Sequence, residues 1–406
     1  MKTKIRNSIC GLSRKEELPR TQALSNMFGR LAVVTLAMLI VNLGSTPALA
    51  ASTIVVPRDF PTIQAAVDAA APGDTIRVQS GTYTEQVVIA KDLTLVGQGV
   101  GQTVVQAPPV LIPYAFVVFN HAPAVAVIRV TDGADVTISG LTVTGPIPCG
   151  VTAGGISVVK AATLRLTDSH VTRIRTEDST CSGFSLGRGV GVGLPPTVVI
   201  DGQLGSTGHA IITDITVDHY QDVGMSITAP LGGALSTATI ANNIIIGGAS
   251  PFRLVAQTGI ILTGAIIAQV KENTVSENVC TRPYCGRDPI FQVQSIGIYA
   301  ETAAEILENH TSENDVGIYQ IFSENPSTIR ENTLENNNFF GIVIQDGDGA
   351  TDENTINGGE VGIAVVASSQ DTVGVLRGDK ITRTSVATVQ EIECCGFQAT
   401  AIVEDD

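Results

Sequence analysis

Six arginines have the chemistry to act together. Arg173, Arg175, Arg188, Arg253, Arg282 and Arg287 belong to a set of four stretches, 143–154, 173–188, 246–258 and 279–296. An arginine fork matches a carboxylate through two parallel hydrogen bonds, so a strip of such side chains reads as a groove for an acidic polymer. Solvated side chains on braced loops are the plainer alternative. Tyr299 and Tyr319 each follow a Gly-Ile pair. A sugar ring could lie on such an outward pair, although two tyrosines packed on each other answer to the same spacing. Gln345-Asp346-Gly347-Asp348-Gly349, with Asp352 and Glu353, offers oxygen ligands for Ca²⁺. It lacks the full spacing of a dedicated loop, and an acidic turn has the same composition. His121, His170, His209, His219 and His310 are scattered without metal-ligand spacing. No catalytic residue is assigned by these types and spacings.

The chain that must position these groups has 406 residues, 44% hydrophobic and 16% charged, with 24 Lys+Arg against 39 Asp+Glu. That composition excludes a disordered chain. The acidic balance speaks against nucleic-acid and anionic-membrane binding, which need a basic face. Leu31 to Leu43 is an apolar run behind Arg30 and earlier basic residues, and Gly44-Ser45-Thr46-Pro47-Ala48-Leu49-Ala50 follows it. This reads as a signal peptide over 1–50, cleaved after Ala50, with an uncleaved membrane anchor as the alternative. Met27 directly precedes the run and offers a second start. Residues 1–50 hold seven Lys/Arg and two Glu, so 51–406 carries 17 basic and 37 acidic side chains, a net charge of −20. It also carries Cys149, Cys181, Cys280, Cys285, Cys394 and Cys395. An even count in an exported chain fits disulfides.

Residues 51–406 repeat. Asn243, Asn273, Asn309, Asn332 and Asn354 stand in similar contexts, the last three spacings being 36, 23 and 22 residues. Gly-Ile pairs interleave with them at Gly259, Gly297, Gly317, Gly341 and Gly362. Repeats of this length, each holding two or three short strands, predict a solenoid whose coils share one core. The asparagines are expected at left-handed bends, stacking side chain on side chain. At the start, Pro61 suits a first helical position and Ile63 and Val67 give an apolar stripe, so a short helix caps the strands. The four insertions fall at one junction of the repeat and therefore at one edge of the solenoid, where binding loops often lie.

Phe60-Pro61-Thr62-Ile63-Gln64-Ala65-Ala66, Gly81-Thr82-Tyr83 and Leu93-Thr94-Leu95-Val96-Gly97 resemble the opening of pectin methylesterases. The Asn and Gly-Ile ladders resemble the repeats of the pectin lyase-like superfamily, over essentially residues 53–406. The resemblance implies an all-β, single-stranded right-handed parallel β-helix with an N-terminal capping helix. It implies little about activity, because that architecture carries lyases, hydrolases, esterases and adhesins. Esterases of the fold resemble one another in a Gln-Asp pair, a second Asp a coil later, and Arg-Pro-Trp. Tyr220-Gln221-Asp222 matches the first element, yet no Asp or Glu occurs from 223 to 271 and the chain has no Trp. Gln370-Asp371-Thr372 echoes the pair without the rest, and Gly208-His209-Ala210 lacks the paired Asp residues of a polygalacturonase-like site. Arg282-Pro283-Tyr284-Cys285-Gly286-Arg287 resembles the Arg-x-Pro-x-x-Arg pattern of pectate lyases with altered spacing.

Two functional classes remain at this level. One is a monomeric exported protein that binds or acts on a carbohydrate polymer, a uronate polysaccharide with lyase-like chemistry as the leading form. The other is a non-catalytic structural or surface-interaction protein. No cofactor is assigned, with Ca²⁺ the one candidate. Cys149 is expected to pair with Cys181 and Cys280 with Cys285, since each pair falls in the insertions. Cys394 and Cys395 stay unassigned, because a bond between neighbours is strained.

Overall fold

The computed structural model describes residues 51–178, 181, 186–230, 232–248, 256–280, 285, 286, 288–290, 292, 294–322 and 327–404. The signal-peptide reading of 1–50 and Arg253, Arg282 and Arg287 lie outside them. The described chain winds in coils of three strands, such as Ser236–Ala241, Ile244–Ile246 and Thr258–Thr263. Equivalent strands of successive coils pair in parallel and build three sheets. The first sheet has 13 strands, from Thr53–Val56 to Ala399–Glu404, and the second has 11, from Gly81–Thr84 to Lys380–Thr382. The third has 14, and its parallel part runs from Val87–Ile89, beside Pro123–Val130, to Ala387–Glu393. The fold is a parallel β-helix.

One core runs up the inside, because no single coil can bury its own apolar residues. Ile156, Ile260, Ile298, Ile318, Ile342 and Ile363 form part of one inward column, each fully buried. Each contributes about 2 kcal/mol of burial. The glycine before these isoleucines has a steric reason. A Cβ on Gly297 would lie 2.6 Å from the carbonyl oxygen of Gly317 on the next coil.

The asparagines stack as expected, but not in the expected backbone state. Nδ2 of Asn243, Asn273, Asn309 and Asn332 each donates to Oδ1 of the next asparagine, at 2.9, 2.9, 3.1 and 2.9 Å. Asn354 passes the chain to Asp379 at 2.8 Å. The left-handed residues are the ones just before, Asn242, Glu272, Glu308, Glu331 and Glu353, with φ of 56, 55, 54, 56 and 52°. Each ladder asparagine must point inward to satisfy buried polar groups, so the strained bend falls on its outward neighbour. A second ladder, Asn278, Asn314 and Asn337, lines the bend between the second and third sheets.

Among the described residues there is one α-helix, Ile63–Ala69. Thr62 is its N-cap, with Oγ1 accepting from Ala65 N at 3.1 Å. Pro61 therefore precedes the cap rather than opening the helix. The helix packs on Thr53–Val56, Thr75–Val78 and Val87–Ile89 and closes that end. At the other end Glu391 stands in register with core residue Val365 and accepts from Ala401 N at 2.7 Å. An inward charge at an edge strand stops another coil from adding. No described helix is long and apolar enough to cross a membrane.

Two features depart from plain coils. The insertions do fall at one junction, between second-sheet and third-sheet strands: Thr142–Thr144 to Thr152–Val158, His170–Thr172 to Leu186–Val192, Ile244–Ile246 to Thr258–Thr263, and Thr274–Ser276 to Ile296–Ala300. Disulfides join Cys149 to Cys181 and Cys280 to Cys285. The other departure was not legible in the repeat. After Leu186–Val192 the chain turns back as Leu194–Ile200, which pairs antiparallel with Ala115–Val117. That strand pairs antiparallel with the start of Pro123–Val130. Ala115, Ala124, Val159, Leu194, Val198 and Ile200 bury one another there as a separate cluster.

Candidate functional site

The outer face of the third sheet collects the groups that can do chemistry. Arg129 lies between the fully buried Ile128 and Val130, so strand alternation turns it outward. Ser157 and Gly191 stand in register with it on the next two coils. Nearer the start of the same strands, Arg188 is in register with Gly154 and with Val223, which follows Asp222. Tyr114 is anchored by its backbone, with N donating to Ala124 O at 3.0 Å. Its ring centroid is 4.9 Å from the Arg129 guanidinium carbon. Its hydroxyl shares a hydrogen bond with Ser157. Arg188 Nε lies 3.7 Å from Asp222 Oδ2. The insertions joined by Cys149–Cys181 flank the start of these strands, and the returning strand Leu194–Ile200 flanks their end.

Electrostatics make this cluster unlike a surface ion pair. Among the described residues the buried Nε of Arg129 has no hydrogen-bond partner, and that of Arg188 has only the long contact to Asp222. A buried donor left unmade costs about 1–3 kcal/mol, so the site holds unspent cationic hydrogen-bonding capacity. Burial pushes the Asp222 carboxyl up from its ordinary value, and Arg188 opposes this. Burial also raises the Tyr114 hydroxyl against the pull of Ser157, Arg129 and Arg188, so it remains a proton donor at neutral pH. Between these groups the described face is open: a Cβ on Gly191 would meet no described atom within 4 Å.

Of the six arginines picked out by the insertions, Arg188 joins this cluster. Arg173 does not; it is exposed at a left-handed bend and pairs with Glu177. Arg175 is half-buried with its Nε unpartnered, and its carbonyl accepts from Ile147 N at 3.0 Å. Arg129, Tyr114 and Asp222 were not selected from the sequence. The signal for Arg129 was present, a lone charge inside Val125-Ala126-Val127-Ile128-Arg129-Val130. Asp222 was set aside for want of a second carboxylate, whereas its partner is Arg188.

For two other groups the plainer of the two readings fits the geometry. Tyr299 and Tyr319 are cross-coil neighbours with ring centroids 5.9 Å apart and planes tilted by 40°. Tyr319 is only 5% exposed and packs among Val316, Phe340 and Val343, so it offers no face to a sugar. Its hydroxyl donates to Gln345, and that of Tyr299 donates to Glu301 at 2.7 Å. Asp346 is 1% exposed. Its oxygens accept from Ser368 N and Oγ, both at 2.6 Å, and from Ser369 N at 2.8 Å. Those bonds outweigh burial and keep its carboxyl below the ordinary value. Asp348 Oδ1 accepts from Val373 N at 3.2 Å, and Glu353 takes the left-handed bend. Asp346 is thus a staple between coils, not one corner of a Ca²⁺ cage with Asp348, Asp352 and Glu353. Among the described residues no three His, Cys, Asp or Glu side chains are placed to hold a metal ion.

Asp218 gathers two of the histidines. His170 Nε2 and His219 Nδ1 each lie 2.9 Å from its oxygens, and Thr172 donates to it. Burial alone would raise this carboxyl, but the hydrogen bonds from His170, Thr172 and His219 win and hold it well below the carboxylate range. The depressed carboxyl stabilises the fold above the unfolded-state value of about 3.9. That contribution is lost as pH falls through the lower folded-state value. Asp218→Ala is expected to cost about 2 kcal/mol at neutral pH. The gap between variant and native unfolding free energies should close in strong acid; a gap unchanged by pH would show that the carboxyl is not ionised in the fold.

The class of molecule is defined by this point: a three-sheet parallel β-helix with a polar site on one outer face. The chain belongs to the right handed beta helix family, whose model matches residues 121–382. No curated protein matches the sequence. Among solved structures the chain is similar to the Agl-KA catalytic domain, with 12% identity over 87% of this chain and 68% of that one, at a TM-score of 0.51. It is also similar to an alginate lyase from Paenibacillus sp. strain FPU-7, at 13% identity, 84% and 99% coverage and a TM-score of 0.43. PfbA, a surface adhesin of Streptococcus pneumoniae, matches at 13% identity, 80% and 87% coverage and a TM-score of 0.47. At these identities the likeness is one of fold.

Proposed function

We propose that this protein is exported by residues 1–50 and binds a uronate-bearing polysaccharide across the outer face of the third sheet, with Arg129 and Arg188 receiving its carboxylates. The observation that carries the reading is the buried Arg129 Nε, which has no hydrogen-bond partner among the described residues, with Arg188 held only by its long contact to Asp222, beside the floor at Gly191. With a net charge of −20 over residues 51–406, a polyanion is repelled at long range, so attraction has to be local. The two disulfides fit an oxidising compartment. The same groups suit β-elimination. That reaction needs the uronate carboxylate neutralised, a base for the adjacent proton and a donor to the leaving oxygen. Either arginine meets the first need, ionised Asp222 the second and the Tyr114 hydroxyl the third. Hydrolysis would instead need two carboxylates about 5–9.5 Å apart across the bond, and among the described residues this site brings Asp222 alone.

The test is retention on immobilised polygalacturonate and alginate against neutral dextran, with far-ultraviolet detection of unsaturated products. The native protein is expected to prefer the uronates, to release in salt and to ignore chelator. Gly191→Phe fills the open floor at a position with ordinary backbone, so it should fold as the native protein does. It is expected to bind at least about tenfold more weakly, or 1.4 kcal/mol. Equal binding by Gly191→Phe would place any ligand elsewhere. Absence of uronate binding by the native protein would overturn the reading in favour of a structural or surface-interaction protein.

A further inference from the structure

The last coil carries a site independent of the arginine face. Strands Ala387–Glu393 and Ala399–Glu404 are joined by a tight turn in which Phe397 N donates to Cys394 O at 3.1 Å. Its two central residues, Cys395 and Gly396, have φ of 62 and 91°. Two positive φ values in succession give a type I′ bend. That bend brings the neighbouring Sγ atoms of Cys394 and Cys395 to 2.7 Å. A disulfide bond is about 2.05 Å long, and ordinary non-bonded contact begins near 3.5 Å. The other four described cysteines are bonded, so these are the two free thiols among the described residues. Cys395 is exposed. Cys394 lines a cavity of about 360 Å³ with Ile290, Phe340, Val361, Ile392 and Glu393.

We propose that Cys394 and Cys395 are a redox-active vicinal dithiol, a covalent modification site that closes to a cyclic disulfide by exchange with a low-molecular-weight disulfide. The exposed Cys395 thiolate attacks one sulfur of the external disulfide R–S–S–R, forming a Cys395–S–S–R bond and releasing one thiolate. Cys394 then attacks the Cys395 sulfur, the Cys394–Cys395 bond forms and the second thiolate leaves. The protein loses two electrons and two protons; the external disulfide gains the electrons, and its two thiolates take up the protons. Order within the pair follows from position. Contact with Cys395, then burial and the charge of Asp288, keep the Cys394 thiol above its ordinary value, which suits the resolving rather than the attacking role. A ring closed between neighbours is strained and therefore readily reduced. The pair is thus distinct from the bracing disulfides at Cys149–Cys181 and Cys280–Cys285.

The test uses the whole mature chain in buffers of reduced and oxidised glutathione, trapped with N-ethylmaleimide and mapped by peptide mass. In the oxidised buffer the peptide holding Cys394 and Cys395 is expected to lose two hydrogens and take up no maleimide. In the reduced buffer it should take up two, while the other four cysteines stay bonded. Cys394→Ser, unable to resolve, is expected to accumulate one glutathione on Cys395. The reduced native protein is expected to take up one equivalent of phenylarsine oxide, which requires both sulfurs. Two maleimides in the oxidised buffer, or two separate glutathione adducts, would overturn the proposal.

Discussion

Asn309→Ala is expected to lower the stability of the protein by about 4 kcal/mol. The side chain makes five hydrogen bonds, four of them buried. Nδ2 donates to Val270 O at 2.9 Å, Leu307 O at 3.0 Å and Asn332 Oδ1 at 3.1 Å. Oδ1 accepts from Asn273 N at 3.1 Å and Asn273 Nδ2 at 2.9 Å. Alanine leaves Asn273 N and one Asn273 Nδ2 hydrogen buried without their acceptor, at about 1–3 kcal/mol each before relaxation, while Asn332 Oδ1 and Leu307 O keep Asn309 N and Glu272 N. Asn309→Asp separates the two halves of the effect. Its carboxylate can still receive both donors of Asn273 but cannot give to the three oxygens, so its loss should be intermediate. Urea unfolding followed by circular dichroism reads both losses. A cost below about 1 kcal/mol for alanine would mean that water replaces the ladder. Because coils contact mainly their neighbours, a two-step transition is an equally informative sign that the break is local.

The second large effect is expected at the arginine face. Arg129→Ala with Arg188→Ala should weaken uronate binding by about a hundredfold, or 2.7 kcal/mol, since charge-assisted contacts to carboxylates are the strong ones. Arg188→Lys should recover only part of its share, lacking the planar fork. Arg188→Ala also has a stability signature. Asp222 loses its cation and keeps its burial, so its raised folded-state value rises further. A raised carboxyl disfavours the fold increasingly as pH climbs above the unfolded-state value of about 3.9, the penalty is complete at the folded-state value, and it vanishes in stronger acid. The variant should therefore be about 2 kcal/mol less stable at neutral pH and no less stable in acid. Asp222→Asn leaves the Arg188 cation without its carboxylate and should also cost stability at neutral pH. If it also abolishes product formation while leaving binding intact, Asp222 is the base of an elimination. If Arg188→Ala binds uronate as well as the native protein, the proposed site is wrong.

Much of the architecture was determined by the sequence itself. Coils stack through identical contacts, so every coil needs the same residue at the same place. Asn273, Asn309, Asn332 and Asn354 recur because each must meet the one before and after. Gly297 and Gly317 recur because the next backbone leaves no room for a Cβ. Such demands print a period on the chain. They also located the insertions at one junction, and with them Arg188 and the Cys149–Cys181 pair. What did not repeat could not be read. Tyr114, Arg129, Arg188 and Asp222 belong to different coils and an inserted strand, and no spacing relates them. Only the antiparallel return of Leu194–Ile200 and the stacking of Pro123–Val130 under Thr152–Val158 and Leu186–Val192 bring them to one face. Burial decided the rest: Tyr319 and Asp346 carry the right chemical groups for a ligand, but neighbouring coils enclose both. A sequence shows which groups a chain has, whereas solvent access, which governs whether they bind, arises only when distant coils pack.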